Sequence, residues 1–131
     1  MTPERRAAGL AAAARVCREQ LLAIGERVAG GRGVEIIQPP TPGSVMLELD
    51  SSVGPFCLGE AVITTCSVSV DGRTGWASVL GLDRPGALAA ALAEADGRPE
   101  ADALSDAALA LEQAARDAQA RAVAETKVTL A

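Results

Sequence analysis

Three charged residues stand where their type and position could do chemistry. Glu60 follows a glycine and opens a β-rich run, close in sequence to Pro55 and Phe56. Buried with a raised pKa, it would be a general base. Left in a polar setting, it would accept backbone N–H groups at a strand start, and that reading is preferred. Asp83 and Arg84 precede a helix, whose N-terminus favours anions, and Arg84 would add charge for a phosphate group. The plainer reading is again preferred: Asp83 caps the loop and Arg84 is solvated.

The composition excludes much else. Histidine is absent, which removes the commonest general base and metal ligand at neutral pH. Cys17, Cys57 and Cys66 lack metal-binding spacing and read as buried, reduced thiols, so no metal site is expected. Ser51 and Ser52 have no histidine to activate them. The run "AGGRG" lacks the GK[ST] ending of a phosphate-binding loop and follows a helix rather than a strand. Trp76 reads as a core or interface anchor. With 2% aromatic residues and a net charge of −5, the chain offers neither stacking platforms nor a general basic face for nucleic acid. Arg5, Arg6, Arg15, Arg18 and Arg27 give the N-terminal helix a basic bias, read as a solvated face first and a dock for an acidic partner second. No signal peptide or membrane-spanning run is expected, and the reduced thiols fit an expected cytoplasmic location.

These residues need elements to position them. Thr2-Pro3-Glu4 starts a helix, and Leu10, Ala13, Cys17, Leu21, Ile24 and Val28 form one apolar stripe on it to about Ala29. Glycines 30, 31 and 33 end it. A strand is expected over Val34–Gln38, a turn at "PPTPG", and a half-buried strand in "SVMLELD" with Val45, Leu47 and Leu49 facing one way. After a loop at "SSVGPF", Ala61–Val70 reads as a strand with Val62, Cys66, Val68 and Val70 on one face. Asp71-Gly72 is a type I′ hairpin signal leading into Arg73–Leu80. A short helix over Gly86–Asp96 and a last helix of about Ser105–Lys127 follow. The expected fold class is α+β: a long N-terminal helix, a four-stranded antiparallel meander and two C-terminal helices, in one domain over residues 1–131. Hydrophobic residues make up 49% of the chain, but alanine supplies much of that and buries little area at ~25 cal/mol per Å². A marginal monomer that gains stability from a partner is therefore expected.

Taken in order, Phe56, Leu58, Gly59, Glu60, Asp71, Gly72, Gly75, Trp76, Val79, Gly81 and Asp83 resemble the signature of the PhnG family, the G subunit of the bacterial carbon–phosphorus lyase core complex. "IIQPPTPGSVMLELD" and the helix beginning "ERRAAGLAAAA" are similar to the family's preceding elements, so the resemblance covers about Glu4 to Asp96. Three departures stand out after the last strand, where the family's arginine, histidine and glutamate fall on Leu82, Gly86 and Leu88. A further family arginine falls on Thr65.

The resemblance implies an accessory, cytoplasmic subunit in phosphonate catabolism. Its partners would be PhnI-, PhnH-, PhnJ- and PhnL-like subunits, with self-association inside the complex, and neither nucleic acid nor membrane. The complex displaces adenine from ATP with a phosphonate (alpha-D-ribose 1-methylphosphonate 5-triphosphate synthase), so ATP and phosphonate are handled by the assembly. The iron–sulfur cluster and S-adenosylmethionine belong to the J subunit, and no cofactor is expected in this chain. The competing reading is a stand-alone phosphate- or phosphonate-binding or regulatory domain using Glu60, Asp83 and Arg84. A single-chain enzyme ranks third, because no matched pair of carboxylates is evident.

Overall fold

The computed structural model describes residues 2–31 and 33–130; the side chains at 47, 49, 51, 56, 57 and 125–130 lie outside that description. The chain runs α1 (Pro3–Val16), α2 (Arg18–Ala29), β1 (Val34–Ser51), β2 (Gly54–Val70), β3 (Arg73–Leu80), α3 (Arg84–Asp96) and α4 (Pro99–Leu130). The class is α+β as expected, but with two N-terminal helices and three strands.

Thr2 caps α1 by accepting from the Arg5 N–H at 3.2 Å. The long helix expected from Pro3 to Ala29 breaks at Cys17, where φ is −134° and ψ 44°. The apolar stripe survives the break, with Leu10, Ala13, Cys17, Leu21, Ile24 and Val28 all buried. The bend lets one stripe serve two partners. Gly9 of α1 lies against Ser105 of α4, and Gly25 of α2 against Ala89 of α3.

The sheet is antiparallel in the order β1-β2-β3. The expected turn at "PPTPG" does not divide β1. Register shifts between Ile36 and Gln38 and between Gln38 and Thr41 absorb the prolines, and pairing resumes at Thr41 opposite Thr65. This is possible because β1 is an edge strand, where a residue without an N–H need not break a ladder on both sides. The loop expected at "SSVGPF" is a tight turn, closed by Ser51 opposite Gly54, so β2 starts at Gly54 rather than Ala61. Asp71 and Gly72 have φ of 50° and 82°, as a type I′ hairpin requires.

Alternation sets the layers. Thr64, Cys66, Val68 and Val70 of β2 and Gly75, Ala77 and Val79 of β3 are buried beneath the helices. Their neighbours Trp76 and Leu80 point to the opposite face and stay exposed. Trp76, at 52% exposure, is therefore no part of the core. The strand around Val45 is not half-buried as expected: Val45 is 41% and Met46 56% exposed, because this segment runs beyond the helical layer. Leu47 and Leu49, assigned to the same face, fall outside the described side chains.

The central helix is α3. Gly86, Ala87, Ala89–Ala91, Leu92, Ala93 and Ala95 are all buried, so it is covered nearly all round. Small side chains let neighbours approach closely from several directions. At Gly75 a Cβ would lie 2.5 Å from the Ala95 amide nitrogen. Gly97, with φ 68°, ends α3 in the left-handed conformation. The last helix starts at Pro99, earlier than Ser105, and Ala101, Leu104, Ser105 and Ala108 bury its first half.

The basic bias of the N-terminal helices has an internal destination. Arg5 pairs with Asp106, Arg6 with Asp102, Arg15 with Glu112, Arg27 with Glu100 and Arg18 with Asp83. The face is solvated as expected, with Arg5, Arg15 and Arg27 exposed, but its arginines also tie α1 and α2 to α4 and to the head of α3. Each exposed pair contributes about 0–1 kcal/mol, so their main effect is to fix how the helices cross.

Candidate functional site

The loop from Gly81 to Gly86 is the most organised polar region near the predicted residues. Thr64 is fully buried on β2. Its hydroxyl donates to the Gly81 carbonyl at 2.7 Å and accepts from the Asp83 N–H at 3.0 Å. This fixes the loop to the sheet and aims Asp83 at the start of α3. One carboxylate oxygen, Oδ1, accepts from the Gly86 N–H at 3.0 Å. The other, Oδ2, accepts from Arg18 Nη1 at 2.5 Å.

These partners hold the Asp83 carboxyl below the usual aspartate range. The Arg18 hydrogen bond has the largest effect, burial opposes it, and the Gly86 N–H adds to it. Asp83 is thus ionised at neutral pH with both oxygens engaged. A proton-transfer group needs a pKa near the working pH and access to substrate. Asp83 is held below that range, and its carboxylate occupies the anion position at the head of α3. Arg84 is exposed in the first turn of that helix.

Glu60 is exposed on β2 opposite Met46. It lies four positions from Thr64, on the order of 13 Å along a strand. The structure brings Asp83 to Arg18 and Thr64 but does not assemble Glu60 with Asp83 into a carboxylate pair. Arg18 and Thr64 are the residues that sequence reasoning missed here. Arg18 was legible as one of five N-terminal arginines, but its partner lies 65 positions away.

The family-motif positions fall on three features. Gly59 and Glu60 lie on β2 and Leu58 is exposed beside them, while the Phe56 side chain falls outside the described set. Asp71 and Gly72 make the hairpin turn, and Gly75 and Trp76 occupy opposite faces of β3. Gly81 and Asp83 belong to the loop that Thr64 anchors.

The departures fall at distinct places. A Cβ at Gly86 would lie 2.7 Å from Asp83 Cγ, so a larger residue there would require the Asp83 side chain to shift. Leu82 is 68% exposed. Leu88 lines an apolar groove of about 280 Å³ between α2 and α3, with Leu22, Pro85 and Leu92. Thr65 sits between Thr41 and Ser78 in the sheet.

Among the described residues, no group of acids and cysteines is placed to hold a metal ion, and no helix is long and apolar enough to cross a membrane. Cys17 and Cys66 are buried free thiols, and burial pushes the Cys66 thiol up. Cys57 lies outside the described side chains. A second cleft, of about 610 Å³, opens between Val16 of α1, Ile63 and Leu80 of the sheet, and Ala115 and Gln119 of α4. Its Arg15 is already paired with Glu112, and Arg116 donates to Gln113 at 2.9 Å.

A family profile described as "Phosphonate metabolism protein PhnG" matches residues 4–131. No curated protein matches the chain.

Proposed function

This chain belongs to the PhnG family of phosphonate metabolism proteins, and we propose that it is an accessory subunit of a cytoplasmic carbon–phosphorus lyase assembly. In that role it supports I-, H-, J- and L-type subunits. The assembly's reaction joins a phosphonate oxygen to C1 of the ATP ribose, and adenine leaves as the glycosidic C–N bond breaks. The nucleotide and phosphonate are held by the assembly, and the iron–sulfur and S-adenosylmethionine chemistry belongs to the J subunit.

The observation that carries the accessory role is the engagement of Asp83. Its two oxygens serve a helix cap and an ion pair, and Glu60 stands apart from it. No acid–base pair is assembled among the predicted residues. The uncovered sheet face bearing Trp76 and Leu80 supports a role in assembly. The alternative, a stand-alone phosphate binder at the head of α3, meets a carboxylate already in the anion position.

Co-expression of the tagged chain with I- and H-type subunits from the same host tests the proposal. Stable co-purification is expected. A chain that remains monomeric and captures neither subunit overturns it. Calorimetric titration with ATP or methylphosphonate is expected to give no heat for the chain alone.

A further inference from the structure

We propose that the β1–β2 arm, residues 44–62, docks into an apolar groove rimmed by basic side chains on another subunit. This rests on the subunit reading above and names the surface through which it operates.

The arm follows from register. Leu80 pairs with Ile63, so β3 ends there and β2 continues from residue 62 back to 54 with only β1 beside it. Nine residues at ~3.3 Å each project on the order of 30 Å beyond the third strand. A two-stranded ribbon is marginal by itself in water. This one also exposes apolar side chains on both faces. Val45 pairs with Ala61 on one, while Met46 and Val62 share the other with Glu60, which lies opposite Met46. Val45, Met46, Leu58 and Val62 are each 41–60% exposed. A flat docking surface would cover one face and leave the other wet; a groove covers both.

Charge identifies the occupant. From Val34 to Gly72 there is no lysine or arginine. Within the arm the charged residues are Glu48, Asp50 and Glu60, all exposed. Two arms stacked on each other would oppose these acids with nothing basic between them. In a second copy the arginines of α1 and α2 are already paired with its own acids, Arg73 and Arg98 are engaged by Asp96 and Arg116 by Gln113, and the remaining described arginines, Arg84 and Arg121, are single charges on different helices rather than a basic rim. Anionic lipid and nucleic acid repel the same surface. The complementary partner is therefore a different protein with lysine or arginine around an apolar groove, whose approach this charge would steer.

The test uses the full chain co-expressed with the I-type subunit. Wild type is captured, and association slows as salt rises. Val45→Glu, Met46→Glu and Val62→Glu together weaken capture at least tenfold, with the far-ultraviolet spectrum unchanged because all three positions lie outside the core. Reversing Glu48, Asp50 and Glu60 to lysine slows association at least tenfold. A photo-crosslinker placed at Met46 in an otherwise wild-type chain reads the contact without disturbing folding. An adduct on lysine- or arginine-bearing peptides of the partner is expected. An adduct on a second copy of this chain, or capture without any adduct, overturns the inference. Arm variants captured as tightly as wild type overturn it while leaving the subunit assignment standing. A wild-type chain that captures nothing removes both.

Discussion

Arg18 and Asp83 are 65 positions apart in sequence, yet their Nη1 and Oδ2 atoms lie 2.5 Å apart. That contact joins α2 to the head of α3 and engages a carboxylate whose place in the sequence suits chemistry equally well.

Because the Asp83 carboxyl is depressed below 3.8, its contribution to stability is present above that value and is lost as pH falls through the lower folded-state pKa. Asp102, lowered by its hydrogen bond to Arg6, acts with the same sign. Thermal melts should therefore show destabilisation below about pH 4. Asp83→Ala should cost about 1–2 kcal/mol at pH 7 and shrink that slope, combining a lost cap with a part-exposed pair. Asp83→Asn keeps an acceptor for Gly86 and should cost about half as much.

Thr64→Val should cost about 1–3 kcal/mol in urea denaturation. The shape is retained, but the Asp83 N–H and Gly81 carbonyl lose their shared partner. An unchanged midpoint would show that water replaces the hydroxyl.

Glu94 should behave oppositely to Asp83. Its Oε2 is buried without a hydrogen-bond partner among the described residues. Burial raises its pKa, Arg6 opposes the rise, and Asp102 adds to it. A raised carboxyl favours the folded state below its ordinary value of 4.5, and that advantage fades as pH climbs through the folded-state pKa. Glu94→Gln should raise stability at pH 7 by about 1 kcal/mol, because it removes a part-buried charge while keeping the side chain's shape. The difference from wild type should close near pH 4.

Gly75→Ala should destabilise by about 1–3 kcal/mol, the usual range for overpacking. The new methyl would meet the backbone and side chain of Ala95, the latter at 2.7 Å, and a helix backbone cannot yield as a side chain does. Equilibrium unfolding measures this directly.

Trp76→Ala should separate folding from assembly. At 52% exposure the ring contributes little to the free chain, so the melt should shift by less than about 1 kcal/mol. Capture by the I-type subunit should weaken at least tenfold if the outer sheet face is part of the contact. A large stability loss with capture unchanged would reverse that assignment.

The sequence by itself determined whatever depends on near neighbours. The Thr2 cap, the α1–α2 stripe, the Asp71-Gly72 turn and the end of the third helix at Asp96 are properties of a few consecutive residues, and each formed where its pattern pointed. The family was also legible, because its motif is an order of such local features. What only the tertiary structure decided depends on distant partners. "PPTPG" reads as a chain-reversing turn until β1 proves to be an edge strand that can skip two prolines. Val45 reads as part of a half-buried strand, and Trp76 as either a core or an interface anchor, until the helices prove too short to cover the arm and confined to one face of the sheet. Asp83 was readable both as a cap and as an anion-site residue. The choice fell to Arg18 and Thr64, which reach it from α2 and β2 and whose contact no local spacing encodes.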